Sequence, residues 1–144
     1  PVEQKALASI VDSIDNVVFI TGATHTSWAY EVTIDPLGSY DSASGAGAIA
    51  VEFGTTSISS GNSNERYTDE EVLAHEAKIS NAEFNPHVRY VNMRDHGYLL
   101  LQLDQTVAQA SWYFVPTLYE RTRNTTLGKQ LMVKTGETRL NTPD

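Results

Sequence analysis

The run Val17-Val18-Phe19-Ile20 is apolar without interruption, is rich in β-branched residues, and is stopped by Gly22. A strand with one wet face alternates apolar and polar residues, so an unbroken run predicts a strand buried on both faces. Just before it, Val2, Ala6, Leu7, Ile10, Val11 and Ile14 recur at helical spacing. That spacing predicts an amphipathic helix over Val2 to Ile14, ended by Asn16. A helix followed at once by such a strand is half of an α/β unit, and it sets the fold class as mixed α/β.

Downstream, the pattern turns to β structure. Strands are predicted over Trp28 to Ile34 and Ala48 to Phe53, with Asp35-Pro36-Leu37-Gly38 as a turn between them, because Pro pre-sets one turn dihedral and Gly tolerates positive φ. Ser39 to Gly47, with its Ser-Ala-Ser-Gly-Ala-Gly stretch, reads as a mobile loop. Thr68-Asp69-Glu70-Glu71 has the spacing of a capping box and opens a helix that should reach about Ile79. After Asn85-Pro86-His87 comes a predicted meander of Val88 to Met93, Tyr98 to Leu103 and Val107 to Val115, turning at Asp95-His96-Gly97 and Asp104-Gln105. Lys129 to Lys134 is the expected last strand. No internal repeat, heptad or linker divides residues 1–144, so they form one folding unit.

Composition removes several function classes. The 144 residues include no cysteine, which excludes disulfides, thiolate metal sites and a cysteine nucleophile within the chain. A formal charge of -8 argues against nucleic-acid binding, where affinity comes largely from neutralising phosphates. No apolar run approaches the ~18–20 residues that span a bilayer. Charge is uneven, with 5 basic and 16 acidic groups in residues 1–120 against 5 and 2 in residues 121–144. The basic tail either lies against something acidic or presents a solvated face. The chain begins at Pro1 without an initiator Met, as expected of a processed chain or a piece of a longer one.

His25 is the residue that stands out. It follows the first strand in a loop with Thr24, Thr26 and Ser27, and ligands of α/β sheets bind outside the carboxyl ends of strands. An imidazole there is suited to metal binding or acid–base work, or simply to bonding a loop carbonyl. Asn85 and His87 flank a proline that fixes their turn, and both are candidates to point into a polar site. His96, in a turn, and His75, on a helix beside Glu76, read as structural or solvated. Glu52 reads as a carboxylate alternating outward from its strand, and Trp112-Tyr113-Phe114 as core and surface alternation. Gly45-Ala46-Gly47 lacks the third glycine of a dinucleotide loop, His75-Glu76 lacks the second His of a zinc protease helix, and no Gly-x-Ser-x-Gly elbow is present. Asn124-Thr125-Thr126 matches a glycosylation sequon, a short and weakly specific motif.

The segment from Val17 through Gly22-Ala23-Thr24-His25-Thr26-Ser27-Trp28-Ala29 resembles the signature of the PhoD-like alkaline phosphatases, an apolar strand followed by Gly-Asp-x-His-x-Ser-Trp-Ala. Further similarities follow in family order: Ala50-Val51-Glu52-Phe53, then Asn85-Pro86-His87-Val88-Arg89-Tyr90-Val91, then Gly97-Tyr98-Leu99-Leu100-Leu101 and Ala110-Ser111-Trp112-Tyr113-Phe114-Val115. They span nearly the whole chain, and only the C-terminal portion of the family's catalytic domain.

The resemblance implies the C-terminal half of a four-layer α-β-β-α metallophosphatase sandwich with mixed and antiparallel strands. Its chemistry would be hydrolysis of phosphate mono- or diesters at a metal cluster, most simply calcium and iron, with other divalent metals as alternatives. Metals a few Å apart clamp the phosphoryl group and acidify a bound water. By motif position His25 would be a metal ligand, and Asn85 and His87 would be catalytic or substrate-binding residues lining the phosphate site. Ala23 stands where the family has Asp and offers no donor atom, so weakened metal binding and strongly reduced hydrolysis are expected. The missing ligands, a cysteine among them, would come from an upstream half of the domain, in cis or as a cleaved companion chain, and the 144 residues alone would be inactive. The implied location is secreted or periplasmic. The alternative is a degenerate, non-catalytic phosphatase-like module that binds a phosphorylated ligand or a protein.

Overall fold

A computed structural model describes residues 2–143 of the chain, with side chains from Ala6 onward. Pro1, Asp144 and the side chain of Val2, first member of the helical stripe, lie outside the described residues. In order come α1 (Val2–Val11), β1 (Val18–Thr21), β2 (Ser27–Thr33), β3 (Ala48–Gly54), a single 3-10 turn (Ser63–Glu65), α2 (Asp69–Ile79), β4 (Val88–Asn92), β5 (Gly97–Leu103), β6 (Val107–Phe114) and β7 (Thr126–Lys134). The first four strands form a mixed sheet in the order β1-β3-β2-β4, with β1 parallel to β3 and the other pairs antiparallel. The last three form an antiparallel sheet, β5-β6-β7.

The two sheets meet face to face. Ala29, Val51 and Phe53 from the first sheet pack with Ala110, Trp112, Leu131 and Val133 from the second. Trp112 is the anchor. Its ring meets Phe53 edge-on at 5.9 Å and Tyr90 at 5.0 Å, and its Nε1–H donates to the Gly54 carbonyl at 2.9 Å, so its one polar atom is satisfied inside the core. The neighbouring Tyr113 turns to the opposite face and stacks on Tyr98, the alternation expected from the sequence.

Three expectations about helix length, strand burial and strand pairing are corrected. Helix α1 stops at Val11, and Asn16 closes the turn beyond it with φ 61°. Strand β1 is not buried on both faces: it pairs only with β3, and Ile20 is 59% exposed at this open edge. The meander is also absent as such. β4 joins β2 in the first sheet, and the chain then crosses to the second sheet through Met93 to His96. Local alternation cannot tell a hairpin from such a crossing. The non-local contact that decides it is the pairing of β4 with β2, in which Val91 lies opposite Trp28.

Residues 39–47 are pinned, contrary to the mobile loop expected. Tyr40 is buried and donates to Glu31 Oε2 at 2.7 Å, while Asp41 accepts from Ala43 N at 3.0 Å and from the Ser44 hydroxyl. Glu31 itself is wholly buried. Its Oε1 accepts from Leu140 N at 2.9 Å and pairs with Arg89 Nε at 3.3 Å. The C-terminal segment thus reaches Glu31 through a backbone amide, not through one of its basic side chains. Burial, reinforced by the Glu31 hydrogen bond, raises the Tyr40 phenol above its usual range.

At α2 the capping box forms as expected. Thr68 Oγ1 accepts from Glu71 N at 3.3 Å, and Glu71 Oε2 accepts from Thr68 N at 2.8 Å and from the Thr68 hydroxyl at 2.9 Å, the last two bonds holding the Glu71 carboxyl below its usual range. The helix then rests on β4, where Glu76 Oε1 accepts from Met93 N at 2.6 Å.

Candidate functional site

The loop from Gly22 to Thr26 leaves the carboxyl end of β1 and enters β2. It makes this reversal with two non-glycine residues in the left-handed region, Ala23 at φ 68° and His25 at φ 64°. Such a conformation suits Asn and Asp better than Ala, whose side chain has no local hydrogen bond to offer in return. The backbone of His25 is held on its carbonyl, which accepts from Ser57 N at 3.3 Å and lies 3.0 Å from Thr56 Oγ1. Its ring is exposed, with Nδ1 2.9 Å from the Gly61 carbonyl oxygen. A carbonyl only accepts, so Nδ1 carries a proton, and in the neutral ring Nε2 has the lone pair available to a ligand. The carbonyl contact and the ligand role, alternatives from the sequence, are compatible at different ring nitrogens.

A short relay anchors the loop to the sheet. Thr24 and Thr26 hydroxyls are 3.1 Å apart, and the Trp28 indole N–H donates to Thr26 Oγ1. On the same face of the sheet Trp28 stacks on Tyr30 at 5.5 Å, and Tyr30 stacks on His87 at 6.1 Å. Burial, then the Glu52 carboxylate, raises the Tyr30 phenol. Glu52, half-buried, accepts from Thr21 Oγ1 at 2.7 Å.

Asn85 and His87 are placed elsewhere. Asn85 Nδ2 donates to the Ile79 carbonyl at 2.9 Å and so caps the C-terminal end of α2. The His87 ring is half-buried in its stack, its Nδ1 has no hydrogen-bond partner, and burial lowers its pKa below 6.5. The His87 carbonyl accepts from Glu31 N at 2.9 Å, whereas His25 lies before Ser27. Between Ser27 and Glu31 run four residues of strand, roughly 13 Å at ~3.3 Å per residue. The fold does not bring His87 and Asn85 to His25. His96 is buried, with Nε2 3.1 Å from Glu65 Oε1 and Nδ1 3.2 Å from Ser57 Oγ. His75 is an exposed helix residue edge-on to Tyr67.

What the sequence analysis missed is the wall opposite His25. An open cleft of about 200 Å³ is lined by Thr24, His25, Asn62, Ser63, Arg66 and Tyr67. Its floor is a second capping box, Asn62 to Glu65. Asn62 Oδ1 accepts from Ser63 N at 2.9 Å, and Glu65 Oε2 accepts from Asn62 N. Asn62-Ser-Asn-Glu65 has the same spacing as Thr68-Asp-Glu-Glu71, and that spacing was the available signal.

The donor set fits one ligand position of a metal shell and no more. His25 supplies a single ring nitrogen, Ala23 supplies nothing, and no group of three or more His, Cys, Asp or Glu able to hold a metal occurs among the described residues. Catalytic zinc centres, for comparison, use three protein donors and structural ones four.

A search of curated proteins finds no match. In a comparison with solved structures, one titled "Structure of PhoD" superposes with a TM-score of 0.68 at 20% identity, covering 96% of this chain and 24% of that one. This likeness shows the fold, and the chain spans about a quarter of that structure's length. A sequence model of the family described as PhoD-like phosphatase matches residues 1–112. With most of the chain matched in sequence and nearly all of it in fold, the chain belongs to the PhoD-like phosphatase family.

Proposed function

We propose that this chain carries the His25 side of a metal-dependent phosphoester hydrolase site acting on phosphate mono- or diesters. The observation that carries the reading is His25 itself: an exposed ring at the carboxyl end of a strand, with Nδ1 committed to Gly61 and Nε2 left open. Metal-binding histidines are commonly oriented in this way, by an acceptor bonded to the ring nitrogen that does not face the metal. Calcium and iron are the proposed metals by family likeness, with His25 suiting the transition metal.

One ligand does not make a site, so the remaining ligands are proposed to come from another part of the domain, in cis or as a companion chain. The open sheet edges support this. Ile20 on β1 and Leu103 on β5 are exposed apolar residues, without the charges or prolines that usually protect an edge strand. The 144 residues alone are then expected to show no turnover. Among the described residues no helix is long and apolar enough to cross a membrane. Export to the periplasm or beyond is part of the same family-based proposal.

Ala23 removes a carboxylate from the loop, so activity of the assembled domain should be weak. Introducing Ala23→Asp into that domain and assaying p-nitrophenyl phosphate should raise turnover; an unchanged rate would count against the reading. The missing donor equally favours a second reading, a non-catalytic module that binds a phosphorylated ligand. Near-stoichiometric transition metal or calcium in the assembled protein supports the hydrolase, and its absence supports the module.

A further inference from the structure

We infer that Arg66 is an anion-binding residue, taking phosphoryl oxygens in the cleft it shares with His25; the inference rests on the proposed phosphoester chemistry at His25. The chain is strongly acidic, at -8, and a phosphate approaching it is repelled by most of its surface. The cleft is an exception because two consecutive residues of opposite charge point their groups to different places. The Glu65 carboxylate, though 39% exposed, is tied down at both oxygens: Oε1 meets His96 Nε2 at 3.1 Å and Oε2 accepts from Asn62 N. Its charge is spent on the capping box and on a buried histidine.

Arg66, next in sequence, lines the cleft beside His25 with the Thr24, Ser63 and Tyr67 side chains as neutral hydroxyl neighbours. Among the described residues no hydrogen bond or ion pair holds its guanidinium, whereas Arg89 is paired with Glu31 and Arg94 with Asp95. Its backbone is fixed, since Arg66 N donates to the Ser63 carbonyl at 3.0 Å and closes the 3-10 turn. The same turn fixes the other side of the cleft. Glu65 Oε2 sits where a Cβ on Gly61 would be only 3.0 Å away, and Gly61 in turn holds His25 by its carbonyl. One short segment thus orients His25 and presents a free planar cation, the geometry that recognises two phosphoryl oxygens at once.

The test is a titration of the 144-residue chain with inorganic phosphate at low salt, read by backbone and arginine side-chain NMR. Phosphate should shift Arg66 and the loop around His25. Arg66→Ala should weaken binding about tenfold or more, Arg66→Lys should keep part of it, and Arg123→Ala, an exposed arginine outside the cleft, should change it little. Absence of phosphate shifts at Arg66, or equal affinity in Arg66→Ala, would overturn the inference. The arms separate it from the parent reading. Phosphate binding lost in Arg66→Ala while the Ala23→Asp domain shows no turnover would sink the hydrolase alone. Turnover with phosphate affinity indifferent to Arg66 would sink the anion-binding role alone.

Discussion

His25 and His87 both adjoin the same mixed sheet, and both lie in segments that resemble family motifs, yet the fold treats them oppositely. His25 is held in a left-handed loop conformation at the carboxyl end of β1, exposed, with one ring nitrogen bonded and the other open. His87 is stacked on Tyr30 with a buried, unpartnered Nδ1, and its own carbonyl ties β4 to Glu31. The first is exposed, the second stacked and half-buried. The left-handed backbone at His25 is held by hydrogen bonds from Ser57 and Thr56, whereas the His87 ring is held by its stack on Tyr30. Motif resemblance marked both; only the environment separates them.

The largest effect should come from the packed side. Glu31 is a wholly buried carboxylate beside the His87 segment, with Arg89, Tyr40 and the Leu140 amide as partners. Glu31→Ala strands Arg89 and should cost about 3–5 kcal/mol in urea unfolding. A loss below 1 kcal/mol would show that this region is not the structural one. Next, Asn85→Ala deletes the bond to the Ile79 carbonyl and should cost about 1 kcal/mol, with His25 side-chain resonances unmoved. A shift at His25 would break the separation between the two regions.

His87 gives a pH test with a definite sign. Burial depresses its folded-state pKa below 6.5, so the unfolded chain binds its proton more readily. The contribution to stability is complete above pH 6.5 and is lost as pH falls from there through the folded pKa. His87→Phe should keep the stack, remove that part of the acid sensitivity and leave the neutral-pH melting temperature nearly unchanged. The smallest effect belongs to the His25 loop. Ala23→Gly relieves a left-handed alanine and should raise stability by about 0.5–1 kcal/mol, measured as a shift of the denaturation midpoint.

How much of this was readable beforehand follows the range of the forces involved. The α2 cap at Thr68, the strands around Trp28 and Val51 and the turn at Asp104 are local, and their side chains announce them. The edge position of β1 and the crossing at His96 are not local. An apolar run looks the same whether a second strand covers it or solvent does, and the pairing of β4 with β2, Val91 opposite Trp28, becomes visible only once the sheet has formed. The candidate site divides in the same way. His25 was legible from its motif, but its partner Gly61 is 36 residues away, and Arg66 carries no motif. The Asn62 to Glu65 spacing was readable and would have flagged the segment that faces His25.

The difference between the two histidines can be measured directly by side-chain nitrogen NMR of the chain, first metal-free and then titrated with zinc. The structure predicts His25 as the Nδ1–H tautomer, with its Nε2 resonance responding to zinc while His87 stays unchanged. His25 found as the Nε2–H tautomer, or His87 responding ahead of it, would contradict the assignment of the functional site to the His25 loop.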